Sequence, residues 1–234
     1  DNPVHKLKEK SPEKIKIHSG FNDYLTKKNK KNGTPRIDEI LQSVKNLLLQ
    51  NPTYRLYLTG HSLGGALATL CGFHAATTFH VASCLTTPPI RVISIASPYV
   101  GNVKFVLAFQ TLERMKLIQH LRVAYKKDVV TLMPVAAPKI GIFSPAYAAF
   151  HGAGDLYKHV GMKLLFSSPL PGEFSISFPQ DQSSDERYAK EIKDFFEDGM
   201  NILSGIGLAF QNKADVVAKY HACENYEECI MKNK

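Results

Sequence analysis

The sequence predicts an α/β fold, in which a mainly parallel central sheet carries helices on both faces. Short apolar stretches typical of strands alternate along the chain with segments of helical periodicity, and this alternation is the pattern of parallel βαβ units. At 234 residues and 44% hydrophobic composition, the chain is long enough to bury one such core. No linker rich in Gly, Pro or Ser divides it, so we predict a single domain over residues 1–234.

The predicted elements follow from apolar spacing and from turn residues. Strand-like stretches end at Gly, Pro or polar residues, and they cover residues 15–17, 54–59, 91–97, 120–125 and 160–166. Helical spacing lies between them, over residues 37–50, 64–76 and 103–115, from Ser184 or Asp185 onward, and over most of 211–234.

The stretch Tyr54–Leu70, YRLYLTGHSLGGALATL, contains the pattern G-x-S-x-G centred on Ser62. That pattern forms a strained strand-to-helix turn that exposes a nucleophilic serine, and glycines two residues to either side let the backbones approach without Cβ clashes. The pattern alone is weak, and a serine here also serves as a helix N-cap. A strand before it and small residues after it supply the required context, so we predict that Ser62 is a nucleophile, with the backbone N–H of Leu63 as an oxyanion donor.

A serine nucleophile needs a base and an orienting carboxylate, in the chain order Ser, acid, His for this fold. Asp128 follows the strand 120–125 at its carboxyl end, where open parallel sheets place functional groups. Asp155 is the rival acid, but it lies in a Gly-rich loop with no strand before it. On spacing alone, His221 is only modestly preferred over His159 as the base.

Longer motifs resemble the class 3 lipases, the fungal-lipase-like branch of the α/β hydrolases. The resemblance is carried by HSGF, by Tyr54–Leu70 over its whole length, and by SIASPYVGN, VAYKKDVVTLMP and YKHVGMKLLF, in unbroken order from Ile17 to Phe166. It implies an α/β-hydrolase fold with Ser62 as nucleophile and Asp128 as acid. In the family a His followed by an aromatic residue supplies the base, which fits His221 and Tyr226 in KYHACENY and strengthens that assignment.

One motif of the family is missing from the chain. The second oxyanion donor is, by resemblance, a Ser or Thr on a strand ending FRG[ST], and no such stretch occurs in the sequence. We therefore expect that donor upstream of residue 1 and expect the domain to be N-terminally incomplete, completed by further sequence or by a separate N-terminal fragment. Residues 1–16 then occupy the place of the lid or of its remnant.

The function implied by the resemblance is hydrolysis of carboxylic esters in lipids, most directly acylglycerols at a membrane or oil–water interface, with no metal or organic cofactor. Phospholipase A1 or galactolipase activity is the alternative within this class. An acyltransferase shares every residue with a hydrolase, so it stays open. A catalytically silent lipase-like scaffold is the alternative of another class, and the intact set of Ser62, Asp128 and His221 argues against it.

Charge and composition limit the kinds of partner that the sequence predicts. The net charge is +8, and residues 1–36 contribute +6 of it from ten Lys or Arg against four Asp or Glu. This segment is interpreted either as a solvated loop or as a surface attracted to anionic membranes. Nucleic acid is disfavoured because no aromatic interleaving or binding module accompanies the charge. No apolar run reaches transmembrane length and the start is not a signal peptide, so we expect a soluble or peripheral protein.

The four cysteines give no metal-ligand spacing. Cys71 and Cys84 lie in apolar surroundings and are predicted to be buried thiols. Cys223 and Cys229 are poorly placed to pair if one helix carries both, but they are bridgeable across a turn.

Overall fold

Alternating apolar side chains build a central sheet with helices packed on it. A computed structural model describes residues 14–81, 89–132, 157–178, 218 and 220–233 of the chain. The strands in these ranges are β1 (Tyr57–His61), β2 (Ile90–Ile95), β3 (Gly101–Asn102), β4 (Ile118–Tyr125), β5 (Tyr157–Lys158), β6 (Met162–Phe166) and β7 (Phe174–Ser177). The helices are α1 (Ser19–Thr26), α2 (Arg36–Gln50), α3 (Leu63–Val81), α4 (Val103–Arg114) and α5 (Cys223–Lys232), with a 3₁₀ turn at Val129–Leu132.

The main sheet has the strand order β1-β2-β4-β6-β7. The pairs β1–β2, β2–β4 and β4–β6 are parallel, and only β7 runs antiparallel to its neighbour β6. Strands β3 and β5 form a separate two-stranded antiparallel ladder. The predicted mainly parallel α/β sheet is therefore confirmed.

The two faces of the sheet bury different clusters, because successive side chains on a strand point to opposite sides. One face packs Val92 and Ile118 against apolar residues of α1 to α4. The other face packs Val123 and Phe166 against Tyr226 of α5. Helices thus cover both faces, as predicted.

Most predicted elements in the described ranges lie within a few residues of the observed ones. The strand expected at 15–17 is wrong, because only a single antiparallel bridge from Ile17 to Gly101 forms there. Helix α1 and the strands β3, β5 and β7 were not predicted, because elements of eight residues or fewer give no clear periodic signal here. The helix predicted from Ser184 or Asp185 lies outside the described residues.

Asn102 fixes the segment that leads into α1. Its side-chain oxygen accepts hydrogen bonds from the N–H of Phe105 at 3.1 Å, which caps α4, and from the N–H of Lys16 at 3.0 Å. Its own backbone N–H donates to the carbonyl of Lys16 at 3.0 Å. The chain therefore passes along β3 at this point. Residues 1–13 of the predicted lid segment lie outside the described residues, and that assignment stays a prediction.

The cysteines of the described ranges are free thiols. Cys71 is buried in the core, and burial raises the pKa of its thiol. Cys223 and Cys229 both lie on α5, so about 9 Å of helix rise separates them and a disulfide is out of reach. Cys84 lies outside the described residues.

No helix in the described part of the chain is both long enough and apolar enough to cross a bilayer.

A buried polar pair lies on the face of the sheet that packs against α1 to α4. His120 on β4 shares a hydrogen bond with the hydroxyl of Ser94 on β2 at 2.8 Å, and its ring packs 5.6 Å from that of Phe109 on α4. Burial, together with the nearby charge of Arg122, lowers the pKa of His120 to about 3. The imidazole is therefore neutral in the folded protein at all physiological pH values.

This pair predicts an acid-sensitive component of stability. The unfolded chain takes up a proton at His120 below its ordinary pKa of 6.5, whereas the folded chain does so only near pH 3. The free energy of unfolding should therefore fall as the pH drops from 6.5 toward 3, by about 2 kcal/mol at pH 5 from this group alone. Urea unfolding at pH 7 and pH 5 measures the change.

The variant His120→Gln is the control, since its amide can still pair with Ser94 but does not titrate. We expect its loss of stability between pH 7 and pH 5 to be smaller than that of the parent by about the same 2 kcal/mol. Equal losses in the two proteins would contradict the assignment.

Candidate active site

Ser62 lies on a strained turn between β1 and α3. Its φ of +55° places a non-glycine residue in the left-handed region, which costs energy and persists only where the surroundings enforce it. The N–H of Ser62 donates to the carbonyl of Ile95 at 2.9 Å, which extends the β1–β2 ladder by one residue. The carbonyl of Ser62 accepts from Gly65 and Ala66 and so begins α3. Strand β2 and helix α3 therefore both hold the turn, and the hydroxyl of Ser62 lies at the carboxyl edge of the sheet.

Close contacts, with the main chain at Gly60 and with a side chain at Gly65, explain two glycines of the turn. A Cβ at Gly60 would lie 2.2 Å from the carbonyl oxygen of Gly64, and a Cβ at Gly65 would lie 2.9 Å from Cβ of Ser97. A Cβ at Gly64 would meet nothing within 4 Å among the described residues. The expectation that a Cβ would clash on both sides of the serine is therefore correct for Gly60 and wrong for Gly64. Gly64 takes part in the close contact only through its main chain, which lies against Gly60.

His221 lies between Ser62 and Asp128. Its Nε2 is 2.7 Å from the hydroxyl of Ser62, and its Nδ1 is 2.9 Å from Oδ2 of Asp128. With Nδ1–H donating to the carboxylate, Nε2 is left to accept the serine proton. The structure thus brings together the three side chains that the sequence singled out.

Asp128 follows β4 and is almost completely buried, with 1% exposure. Its carboxylate accepts three hydrogen bonds: from Nδ1–H of His221 at 2.9 Å, from the N–H of Val130 at 2.9 Å and from the hydroxyl of Tyr226 at 2.7 Å. The Tyr226 hydroxyl in turn accepts from the N–H of Tyr125 at 3.1 Å. Burial and the neighbouring carboxylate of Asp128 raise the pKa of Tyr226, so it stays a donor.

His61, the residue before Ser62, also contacts His221. Its Nε2–H donates to the backbone carbonyl of His221 at 2.9 Å, and the two rings lie 4.7 Å apart. Burial, with the nearby charge of His221, lowers the pKa of His61. The sequence placed His61 inside the turn pattern but did not reveal this contact, because the pattern specifies nothing at that position.

His159, the rival candidate for the base, contacts Thr131 and Tyr99. Its Nε2 bonds the carbonyl of Thr131 at 2.6 Å, and its ring lies 4.1 Å from that of Tyr99. Asp155 lies outside the described residues.

Leu63 is the first residue of α3, and its side chain is 46% exposed. The first four N–H groups of a helix have no partner within the helix and carry its positive end. The backbone N–H of Leu63 is therefore one of the groups available to an anion beside Ser62.

The mainly parallel sheet, with a strained serine at its carboxyl edge, defines this chain as an α/β hydrolase. It belongs to the class 3 lipase family, whose model, Lipase (class 3), matches residues 1–137 and so more than half of the chain. The resemblance noted in the motifs is confirmed.

Individual relatives agree with the family. Phospholipase A1-II 3 of Oryza sativa subsp. japonica is 32% identical over 128 residues, which cover 51% of this chain and 30% of the relative. Secreted mono- and diacylglycerol lipase A of Penicillium cyclopium is 32% identical over 113 residues, which cover 47% of this chain and 32% of the relative. The chain therefore spans about a third of the length of these relatives.

Among solved structures, the Rhizomucor miehei lipase in its propeptide complex aligns with a TM-score of 0.51 and 25% identity. The alignment covers 77% of this chain and 47% of that structure. It supports the same fold.

The glycine contacts predict an asymmetric pair of variants. Gly60→Ala should lower the free energy of unfolding by at least about 1–3 kcal/mol, because the new methyl group meets main-chain oxygen that has no room to move. Gly64→Ala should leave it unchanged or raise it by up to about 1 kcal/mol, because alanine favours the helix. Urea unfolding of both variants measures the difference, and equal destabilisation would contradict the described packing.

Proposed function

We propose that this chain forms the catalytic part of a lipid carboxylic ester hydrolase in which Ser62 is the nucleophile, His221 the general base and Asp128 the orienting acid. The observation that carries the proposal is the continuous hydrogen-bonded line from Ser62 through His221 to Asp128, at 2.7 and 2.9 Å. A serine hydroxyl in contact with a neutral imidazole, itself oriented by a carboxylate, is the arrangement that activates an otherwise weak nucleophile.

The first half of the reaction acylates Ser62. Its Oγ attacks the carbonyl carbon of the ester while its proton passes to Nε2 of His221. The N–H of Leu63 stabilises the negative charge that develops on the carbonyl oxygen. When the intermediate collapses, the bond to the leaving oxygen breaks, His221 gives that oxygen its proton, and the alcohol departs.

The second half repeats these steps with water. His221 takes a proton from the water that attacks the acyl group, and it then returns a proton to Oγ as the fatty acid leaves. Asp128 keeps its charge throughout and stabilises the imidazolium that forms in each half. In this proposal a residue upstream of residue 1 supplies the second oxyanion donor, as the resemblance to the family implies.

The substrates proposed are acylglycerols, a class supported by the name of the Penicillium relative. Membrane phospholipids are the second candidate, which the name of the rice relative supports. Assays of the full-length protein on a diacylglycerol emulsion and on phosphatidylcholine vesicles, with products separated by chromatography, decide between them.

The roles of the triad are tested by replacing its members in the full-length protein. We expect Ser62→Ala to abolish both ester hydrolysis and labelling by a fluorophosphonate probe, because both need the hydroxyl as nucleophile. We expect His221→Ala to lower kcat/KM by at least about 10⁴-fold. A parent protein that the probe does not label would instead support the catalytically silent scaffold.

His159→Gln is the matched control for the base. A glutamine amide can still donate to the carbonyl of Thr131, so the fold is kept and activity should stay near that of the parent. Loss of turnover in His159→Gln with turnover retained in His221→Ala would refute the assignment of the base.

We also propose that His61 is a positioning residue that holds the main chain of His221. The variant His61→Gln retains a donor for the carbonyl of His221, whereas His61→Phe retains only the ring contact. Loss of one such hydrogen bond costs about 1 kcal/mol, so we expect kcat to fall about fivefold in His61→Phe, with KM unchanged, and to recover in His61→Gln. Equal kcat values in the two variants would show that the hydrogen bond is not what matters.

A further inference from the structure

The loop between α1 and α2 concentrates positive charge. Residues 27–36, here called the basic loop, contain Lys27, Lys28, Lys30, Lys31 and Arg36 and no acidic residue. All five basic side chains are exposed. In the described part of the chain, none of the four lysines forms an ion pair with a carboxylate. Their charge is therefore available to a partner.

The basic loop has a defined backbone. An antiparallel bridge joins Lys28 to Pro35, and the N–H of Asn29 donates to the carbonyl of Thr34 at 2.9 Å. The turn closes at Gly33, whose φ of +73° favours glycine and whose N–H donates to Asn29 at 2.8 Å. The lysines are thus displayed from a hydrogen-bonded hairpin, which reduces the entropy lost when they bind a surface.

Topology places the basic loop at the same edge of the sheet as Ser62. Helix α2 and strand β1 are joined by only six residues, 51–56, so they run in opposite directions. Over its 15 residues α2 rises about 22 Å, enough to span the sheet from the carboxyl to the amino end of β1. Arg36, at the start of α2, therefore lies toward the carboxyl end of β1, where Ser62 follows.

The start of α1 supports this placement. The N–H of His18 donates to the carbonyl of Val100, a residue that lies beyond the carboxyl end of β2. Helix α1, which precedes the basic loop, is thus anchored at its start beyond the carboxyl end of β2.

An exposed aromatic residue adjoins the charge. Tyr24 is 51% exposed, and the guanidinium of Arg36 lies 4.7 Å from the centre of its ring. A tyrosine beside basic side chains is suited to the boundary between headgroups and acyl chains, where one end of the ring is apolar and the other wet.

We propose that the basic loop docks this protein on a bilayer that contains anionic lipids, and that docking turns the edge carrying Ser62 toward the lipid. The partner is the layer of anionic headgroups, recognised by charge and by the Tyr24 ring rather than by a pocket. The orientation of this edge toward the lipid rests on the proposed function, because an enzyme that acts on lipid esters needs the edge to face the membrane, whereas the docking itself depends only on the basic loop.

The test measures binding of the full-length protein to sedimented vesicles of phosphatidylcholine, with and without 30 mol% phosphatidylglycerol. A Ser62→Ala background prevents hydrolysis of the vesicles during the measurement. The loop variant is Lys27→Gln/Lys30→Gln/Lys31→Gln. The control variant, Arg55→Gln/Arg114→Gln/Lys116→Gln, removes the same charge from exposed positions before β1, at the end of α4 and in the connection from α4 to β4.

We expect the loop variant to bind anionic vesicles about 100-fold more weakly than the parent, because each lysine near such a surface contributes about 1 kcal/mol. The control variant should lose far less, and raising the salt concentration should abolish the difference. Equal losses in the two variants, or equal binding of the parent to neutral and anionic vesicles, would overturn the proposal. Tighter binding to a short DNA duplex than to anionic vesicles would also overturn it.

A soluble short-chain ester separates this proposal from the proposed function. With Ser62 intact, the loop and control variants should hydrolyse it at the parent rate, since neither touches the catalytic residues. Loop-dependent vesicle binding by a parent that hydrolyses no ester would refute the proposed function and support the docking surface. If the parent hydrolyses the ester but its binding to vesicles does not depend on the basic loop, the docking proposal alone is overturned.

Discussion

Burying the carboxylate of Asp128 at 1% exposure removes it from water, so protein donors must replace the solvent. Three do so: Val130 lies two residues beyond Asp128, whereas His221 and Tyr226 lie more than ninety residues later in the chain. An unpaired buried charge is costly by several kcal/mol, so the folded state requires all three to be present. The same contacts orient His221 toward Ser62, and stability and site geometry therefore depend on one buried charge.

Strain at Ser62 is the second constraint. Left-handed backbone at a serine is unfavourable, yet a hydrogen bond to β2 and the start of α3 enforce it from both sides. A sheet edge and a helix N-terminus are both rigid because the core fixes them, so their contacts with Ser62 offset the energy of its strained backbone. The hydroxyl is thereby presented above the sheet without a flexible loop to position it.

The sequence was most informative where a local pattern has a local cause. The turn at Ser62 was predictable because strand, glycines and helix all lie within seventeen residues. His221 was less predictable, since spacing alone favours it only modestly over His159, and the stronger preference depends on the resemblance to the family, through Tyr226. Helix α1, strand β7 and the room for a Cβ atom at Gly64 depend on tertiary contacts, which periodicity does not encode.

The 159 residues that separate Ser62 from His221 have a consequence for biosynthesis. A ribosome adding about 5–20 residues per second needs roughly 8–30 s to pass from the serine to the histidine. Throughout that interval the hydroxyl of Ser62 lacks the contact with the His221 imidazole that it has in the folded protein. Translation order alone therefore delays the assembly of the hydrogen-bonded line from Ser62 to Asp128 until His221 has been synthesised and packed.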